Sequence, residues 1–226
     1  MPTFWPHLRA VTRGHRPVLL LGLLLPWVVF GTVAKVVLET GGFPGDKPIL
    51  MFLHSHATPG LNALALGLTV VGNTWPMILA GVVITLRLAV RGHRRQAWIF
   101  ALSVGGSMLL TQVIKALAMR PRPALWMSIR PEHTYSFPSG HAMDTAALAT
   151  AVGFLLWRYR AAWPAQAAGP LFVLGVGWAR MYLGVHYPSD VLAGWSSAVG
   201  WVMLVQGLAS PGFRALWQPW PTAVPD

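Results

Sequence analysis

The sequence of 226 residues contains no cysteine and only six acidic residues, against 17 lysines and arginines. The absence of cysteine excludes disulfides, thiolate nucleophiles and cysteine-ligated metals. Charged residues make up only 10% of the chain and hydrophobic residues 54%, whereas a soluble domain usually carries about 25% charged residues. This deficit of charge, together with long apolar runs, is typical of an integral membrane protein.

Several apolar segments are long enough to cross a bilayer, since about 20 residues span the hydrocarbon core and about 17 is the lower limit. They lack the alternation of barrel strands, so we expect an all-α polytopic protein. Six transmembrane helices are predicted, near 17–38, within 61–90, and near 97–119, 140–157, 169–185 and 190–208. Gly72, Asn73 and Pro76 are expected to make the second helix irregular. The domain prediction is a cytoplasmic segment 1–16, a six-helix membrane domain 17–210 and a cytoplasmic tail 211–226.

The basic residues predict the orientation. They cluster before the first predicted helix, between the second and third, after the fourth, and in the tail: Arg9, Arg13, Arg16, Arg91, Arg94, Arg95, Arg158, Arg160 and Arg214. With six helices these segments share one side, which the positive-inside rule makes cytoplasmic. A soluble chain with a net charge of +11 would suggest a nucleic-acid partner, but the loop placement fits membrane topology and we expect none. Both termini are then cytoplasmic, and 39–60, 120–138 and 186–189 face outward.

Three short motifs carry the remaining polar residues of interest. They are Lys115-x6-Arg122-Pro123, Pro138-Ser139-Gly140-His141 and Arg180-x5-His186-x3-Asp190. Each alone has an ordinary explanation: a lysine that snorkels to the interface, a serine that caps a helix, or a histidine beside a carboxylate. Pro138 and Ser139 suit a helix start, whose exposed N–H groups form an anion site, and Gly140 permits close approach of a ligand.

The three motifs are more informative together, because the predicted topology places all of them at the outer ends of the helices. Three basic side chains, a hydroxyl, a helix N-terminus and two histidines would then surround one point. Phosphoryl transfer needs cationic donors for the phosphate oxygens, an in-line nucleophile and an acid for the leaving oxygen. The set supplies each of these. It contains no acidic cluster for a metal, so we expect neither a metal nor a cofactor.

The three motifs, spanning residues 115–190, closely resemble those of the type 2 phosphatidic acid phosphatase superfamily of membrane lipid phosphatases. The resemblance implies that His186 attacks phosphorus to form a phosphohistidine and that Asp190 holds its reactive tautomer. It also implies that His141 protonates the leaving oxygen and then helps to activate water, and that no metal is needed. The implied phosphate ligands are Lys115, Arg122, Ser139, the Gly140 N–H and Arg180. The third motif usually begins with serine, but here Ala179 precedes Arg180.

Other polar residues leave alternatives open. Asp144 is expected either to tune His141 from the same helical face or to pair with an arginine. Arg120 could contact phosphate, although an exposed loop position is favoured. His54 and His56 resemble half of a metal site, but they lack enough further ligands. The stretch 41–58 could lie along the outer membrane surface.

The favoured function is a phosphatase in a bacterial inner membrane, with its active site facing the periplasm or cell exterior. Candidate substrates are undecaprenyl pyrophosphate, phosphatidylglycerophosphate, phosphatidate and diacylglycerol pyrophosphate. Recycling of a carrier lipid for cell-wall synthesis ranks first, by analogy. Two alternatives stay open: a lipid phosphotransferase that uses the same phosphohistidine, and a lipid or anion transporter. The physiological lipid and the oligomeric state do not follow from the sequence.

Overall fold

A computed structural model describes residues 6–157 and 163–209, and every regular element within them is a helix. The helices are α1 (Pro6–Thr40), α2 (Asp46–Ser55), α3 (Pro59–Val71), α4 (Thr74–Val90), α5 (Arg94–Ala118), α6 (Gly140–Leu156), α7 (Trp163–Tyr182) and α8 (Pro188–Ala209). The predicted all-α class is therefore confirmed for the described residues.

Among the residues that the structure describes, three helical segments are long and apolar enough to cross a membrane: 22–40 of α1, α5 and α8. Helices α3 and α4 pass the same criterion only as a pair, bent by 44° at the break around Gly72 and Asn73. Helix α6 is apolar but has only 17 residues. The number of six transmembrane helices stays a prediction. Large apolar side chains are exposed along α1, α4 and α5, including Leu25, Leu86 and Leu109, as expected for surfaces that face lipid.

The core lies where α5, α6 and α8 pack together. Phe100, Met143 and Val202 are buried there, with small residues from α6 and α8 between them. A Cβ added to Gly194 of α8 would lie 2.8 Å from the Ser139 carbonyl oxygen at the start of α6. Small residues allow the two helices to approach closely at their first turns. This contact holds the beginnings of α6 and α8 side by side.

The connections of the bundle bring the three motifs to one end. Helix α5 ends at Ala118 and α6 begins at Gly140, while α7 ends at Tyr182 and α8 begins at Pro188. The loop 119–139 and the turn 183–187 therefore meet at the same end. The Ser139 N–H donates to the Asp190 carbonyl oxygen at 3.0 Å and joins the second motif directly to the third.

The helix boundaries differ from the predictions in four places. Helix α1 begins at Pro6, eleven residues before the expected 17. The expected second helix is two helices, because α3 ends before Gly72 and Asn73 caps α4 with its side chain. Residues 41–58, predicted only as a stretch along the membrane surface, contain the short helix α2. Helix α7 begins six residues before the expected 169 and ends three before the expected 185.

Candidate active site

His186 lies in the turn between α7 and α8, and its side chain is 1% exposed. Its Nε2 is 3.1 Å from Nη1 of Arg122, and its Nδ1 is 3.6 Å from Oδ2 of Asp190. A guanidinium can only donate, so Nε2 is the acceptor and the ring proton is assigned to Nδ1, facing the carboxylate. At 3.6 Å this second contact is electrostatic and too long for a hydrogen bond.

Burial also keeps this histidine neutral. Loss of solvent, followed by the nearby positive charges of Arg122 and Arg180, holds the pKa of His186 well below its usual value. A neutral imidazole with its lone pair on Nε2 can act as a nucleophile, whereas a protonated one cannot.

Asp190 lies in the first turn of α8 and is fully buried. Its Oδ2 accepts hydrogen bonds from the Ser136 hydroxyl and from the Tyr187 N–H, the latter at 2.8 Å. Its Oδ1 accepts from Arg120. Two donors from the loop 119–139 and one from the turn 183–187 therefore fix this carboxylate beside His186.

Arg122 and Lys115 meet at Thr134. Arg122 donates from Nε to the Thr134 carbonyl oxygen at 2.7 Å, from Nη2 to the Thr134 hydroxyl at 2.9 Å, and from Nη1 to the Val185 carbonyl oxygen at 2.8 Å. Lys115 Nζ lies 3.3 Å from the same hydroxyl. A Cβ added to Gly140 would lie 3.9 Å from this Nζ. The lysine therefore reaches the start of α6.

Three further residues of the motifs hold buried donor or acceptor atoms that have no hydrogen-bond partner among the described residues. These atoms are Ser139 Oγ, His141 Nε2, and Nε and Nη1 of Arg180. Ser139 occupies the N-cap position of α6, but its hydroxyl does not cap the helix. His141 lies within electrostatic range of Arg180, His186 and Lys115. Because buried polar groups are nearly always paired, such a cluster points to a polar ligand.

A carboxylate that the motifs do not contain also lies in the site. Glu132 Oε1 accepts from Nη2 of Arg180 at 2.7 Å. Burial opposes ionisation of Glu132, but the charge and hydrogen bond of Arg180, with the charge of Arg122, lower its pKa below the usual value. One end of the Arg180 guanidinium is therefore held in place while its other donors stay unpartnered.

Two expectations for individual residues are corrected. Arg120 is neither exposed nor turned to the phosphate site, because it is 6% exposed and paired with Asp190 and Asp46. Asp144 is buried on α6, and its Oδ2 accepts from the Thr74 hydroxyl at 2.7 Å instead of pairing with an arginine. Any influence of Asp144 on His141 stays a prediction.

Sequence reasoning missed Glu132, Thr134, Ser136 and Asp46. One signal could have identified two of them. The chain has only six carboxylates, and four of them lie at or beside this site: Asp46, Glu132, Asp144 and Asp190. In so basic a chain, the scarcity of acidic residues marks Asp46 and Glu132 as candidates, although it does not predict their partners. Thr134 and Ser136 carry no comparable signal.

The two histidines that resemble half of a metal site have other contacts. The His54 ring stacks on Trp126 with centroids 4.1 Å apart, and His56 Nδ1 lies 2.8 Å from the Phe52 carbonyl oxygen. No group of three histidine, aspartate or glutamate side chains suited to a metal ion occurs within 6–157 and 163–209.

Comparison with known proteins identifies the family. The PAP2 superfamily model matches residues 96–211. The chain belongs to the PAP2 superfamily. Phosphatidylglycerophosphatase B of Bacillus subtilis is 30% identical over 155 residues, which cover 66% of this chain and 75% of that protein. Undecaprenyl-diphosphatase of Sulfolobus acidocaldarius is 26% identical over 178 residues, which cover 76% of this chain and 82% of the relative.

A solved structure agrees with this assignment. The crystal structure of a transmembrane PAP2-type phosphatidylglycerolphosphate phosphatase from Bacillus subtilis superposes with a TM-score of 0.74 at 25% identity, covering 83% of this chain and 96% of that one. The family resemblance read from the motifs is thus confirmed. The PAP2 chain is an integral membrane protein and a phosphoric ester hydrolase.

Proposed function

We propose that the protein hydrolyses a phosphomonoester or pyrophosphate of a membrane lipid through a phosphohistidine on His186. The observation that carries the proposal is the cluster of unpartnered buried atoms on Ser139, His141 and Arg180, close to a neutral His186. Phosphoryl transfer depends on positioning and on donors aimed at the phosphate oxygens. The cluster supplies such donors beside a nucleophile.

The proposed reaction has two steps. First, His186 Nε2 attacks phosphorus, the bond between phosphorus and the lipid oxygen breaks, and His141 gives that oxygen a proton, which His141 takes up when the anionic phosphate binds beside it. Then water attacks the phosphohistidine, His141 takes a proton from the water, and phosphate leaves as the bond to Nε2 breaks. Arg122, which lies 3.1 Å from Nε2, must shift its Nη1 from the nitrogen to a phosphate oxygen.

The substrate proposal rests on the relatives and on the membrane setting. The candidates are undecaprenyl pyrophosphate, phosphatidylglycerophosphate, phosphatidate and diacylglycerol pyrophosphate, and recycling of a carrier lipid is ranked first. Lys115, Arg122 and Arg180 hold the phosphate in this proposal. Such cations can neutralise the developing charge, so the activity is expected to survive a chelator.

Phosphate release by detergent-purified protein tests the chemistry. Wild type, His186→Ala and the matched control His133→Ala would be assayed with EDTA on the four lipids. His133 is exposed on the same loop as Glu132, so its variant should keep full activity while His186→Ala loses it. Equal activity of His186→Ala and wild type would refute the phosphohistidine. Transfer of the phosphoryl group to another lipid without free phosphate would favour a transferase, and lipid movement that survives in His186→Ala would favour a transporter.

We also propose that the site faces the periplasm of a bacterial inner membrane and that both termini are cytoplasmic. Helix α5 has 25 residues and is about 37 Å long, so the turn before it and the loop after it lie on opposite sides. The chain has no cysteine, which permits single-cysteine labelling. Met127, which is 95% exposed, marks the loop after α5, and the exposed Arg91 marks the turn before it.

A membrane-impermeant maleimide should label Met127→Cys in intact cells and should label Arg91→Cys only after permeabilisation. The opposite pattern would overturn the orientation without affecting the proposed chemistry.

A further inference from the structure

A buried chain of charges lies behind Asp190, on the far side from His186. Arg120, at the end of loop 119–139 nearest α5, reaches Asp190 Oδ1 and, at 2.8 Å, the Ser189 hydroxyl with its Nη1. Its Nη2 reaches Asp46 Oδ2 at 3.0 Å and the Gly41 carbonyl oxygen at 2.7 Å. One guanidinium therefore bridges two carboxylates that are 144 positions apart in the sequence. Its carbon also lies 4.2 Å from the centre of the Tyr187 ring.

Asp46, the first residue of α2, is 4% exposed and holds the start of α8 directly. Its Oδ1 accepts from the Ser189 N–H at 3.0 Å, and its Oδ2 accepts from the Ser189 hydroxyl at 2.6 Å. A carboxylate at a helix N-terminus satisfies an otherwise unpaired N–H and interacts favourably with the helix dipole. Asp190 lies in this same first turn. Asp46 therefore holds the backbone beside Asp190, and it also holds Arg120, which pairs with the Asp190 carboxylate.

The backbone at Gly42 packs directly against the ion pair of Asp46 and Arg120. Gly42 has a φ of +144°, and a Cβ there would lie 2.1 Å from Arg120 Nη2 and 2.7 Å from Asp46 Oδ2. The turn before α2 thus closes tightly over the ion pair. A buried charge cluster is seldom the most stable filling for such a space, since a well-packed apolar set of similar volume is often as stable or more so. The arrangement therefore calls for a role other than stability.

Neither residue has a donor or acceptor in contact with the proposed phosphate ligands. Both terminal nitrogens of Arg120 are occupied by Asp190, Ser189, Asp46 and Gly41, and Asp46 accepts from Ser189, Arg120 and the Phe43 N–H. Any effect on catalysis must pass through Asp190, and from there to His186.

We propose that Asp46 and Arg120 are positioning residues, which hold the Asp190 carboxylate at the angle that keeps His186 in its nucleophilic tautomer. The inference rests on the proposed phosphohistidine chemistry, and it adds α2 to the catalytic apparatus. Outer residues that orient a catalytic or ligating group typically change activity by about 10–100-fold when they are removed. The loss should appear in kcat, because the ground-state ligands of the phosphate stay in place.

The test compares Asp46→Asn and Arg120→Lys with wild type and with Lys47→Gln, an exposed neighbour on α2. The measurements are kcat, KM, thermal stability, and inhibition constants for inorganic phosphate and for vanadate. Phosphate reports ground-state binding, while vanadate can take the five-coordinate geometry of the transition state.

For Asp46→Asn we expect kcat to fall by about 10–100-fold. Its KM and phosphate inhibition constant should stay within about threefold of wild type, and vanadate inhibition should weaken in parallel with kcat. Lys47→Gln should match wild type.

The outcomes separate the inference from the proposed function. If wild type releases no phosphate, the proposed function fails and the inference fails with it. If wild type is active, His186→Ala is inactive and a folded Asp46→Asn retains full kcat, only the inference is overturned. Equal weakening of phosphate and vanadate inhibition together with a lowered Tm would show a purely structural role and would also overturn it. If Asp46→Asn does not fold, Arg120→Lys tests the same ion pair between Arg120, Asp46 and Asp190. If neither variant folds, the result counts against the inference.

Discussion

Replacement of Arg180 by methionine should separate activity from stability. The side chain is fully buried on α7, with Nη2 bound to Glu132 at 2.7 Å and with Nε and Nη1 unpartnered. Two unpartnered donors can each make a charge-assisted hydrogen bond to a phosphate oxygen, and each such bond contributes about 1.5–3 kcal/mol. The variant should therefore lose about 3–6 kcal/mol of transition-state stabilisation, which corresponds to a fall in kcat/KM of roughly 10²–10⁴-fold.

The same change should cost little stability. Methionine removes a buried charge whose donors are only partly satisfied, and it fills much of the same volume. The carboxylate left behind, Glu132, is 25% exposed and can be hydrated. We expect the Tm of Arg180→Met to equal or exceed that of wild type, although the enzyme is nearly inactive.

The assay is steady-state phosphate release, with thermal unfolding in the same detergent. Arg87→Met is the matched control, since Arg87 is an exposed arginine in the last turn of α4, and this variant should keep full activity. A folded Arg180→Met whose kcat/KM lies within about tenfold of wild type would remove Arg180 from the phosphate ligands. A large drop in Tm would instead show that the ion pair with Glu132 stabilises the fold.

Three further predictions concern other parts of the site. Because the pKa of His186 is held well below its usual value, the unfolded chain gains a proton near pH 6.5 that the folded chain does not. Stability should thus be lost as the pH falls, and between about pH 7.5 and 5.5 wild type should lose up to about 1.4 kcal/mol more than His186→Gln in thermal unfolding; parallel curves would contradict this. Gly194→Ala places a Cβ 2.8 Å from the Ser139 carbonyl oxygen and should lower the unfolding free energy by about 1–3 kcal/mol, whereas Gly67→Ala, which meets nothing within 4 Å, should not. Ala179→Ser introduces a hydroxyl at a fully buried position in an apolar cluster; it should cost about 1 kcal/mol without raising kcat, and a rise in kcat would show that the usual family serine matters here.

Much of the fold could be predicted because the apolar segments have clear limits. The expected 97–119 and 140–157 differ from α5 and α6 by at most three residues, since loops with prolines and charges bound both. Helix α2 was not predicted as a helix, because its ten residues are too few for a periodic pattern to emerge. The early start of α7 was missed because residues 163–168, rich in alanine and including Pro164, have little hydropathy contrast with the loop before them.

The candidate site could be assembled from the motifs, but its supporting contacts could not. The spacing of the motifs places the candidate phosphate ligands at helix ends. Because successive helices run in opposite directions, the end of α5, the start of α6, the end of α7 and the start of α8 lie on the same side of the bundle. Burial of Arg120, in contrast, depends on Asp46, which lies 74 residues away, and no local pattern predicts such a pairing. Glu132 lies in a loop without periodicity, where proximity to Arg180 follows only from the path of the chain.

The polar residues around His186 divide into two groups that should respond differently to mutation. Behind the histidine, Asp190 has donors on both oxygens, and Arg120 is bound through both terminal nitrogens. In front, Ser139 and Arg180 keep unpartnered buried atoms. Apart from its buried Nε, the donors of Arg120 are bound to carboxylates, the Ser189 hydroxyl and the Gly41 carbonyl oxygen, so this group holds a geometry. The unpartnered atoms in front can bind an anion but are costly to bury without one. Variants behind the histidine should therefore change kcat alone, and variants in front should also weaken inhibition by inorganic phosphate. A variant of Arg120 that weakened phosphate inhibition as strongly as a variant of Arg180 would show that the division is wrong.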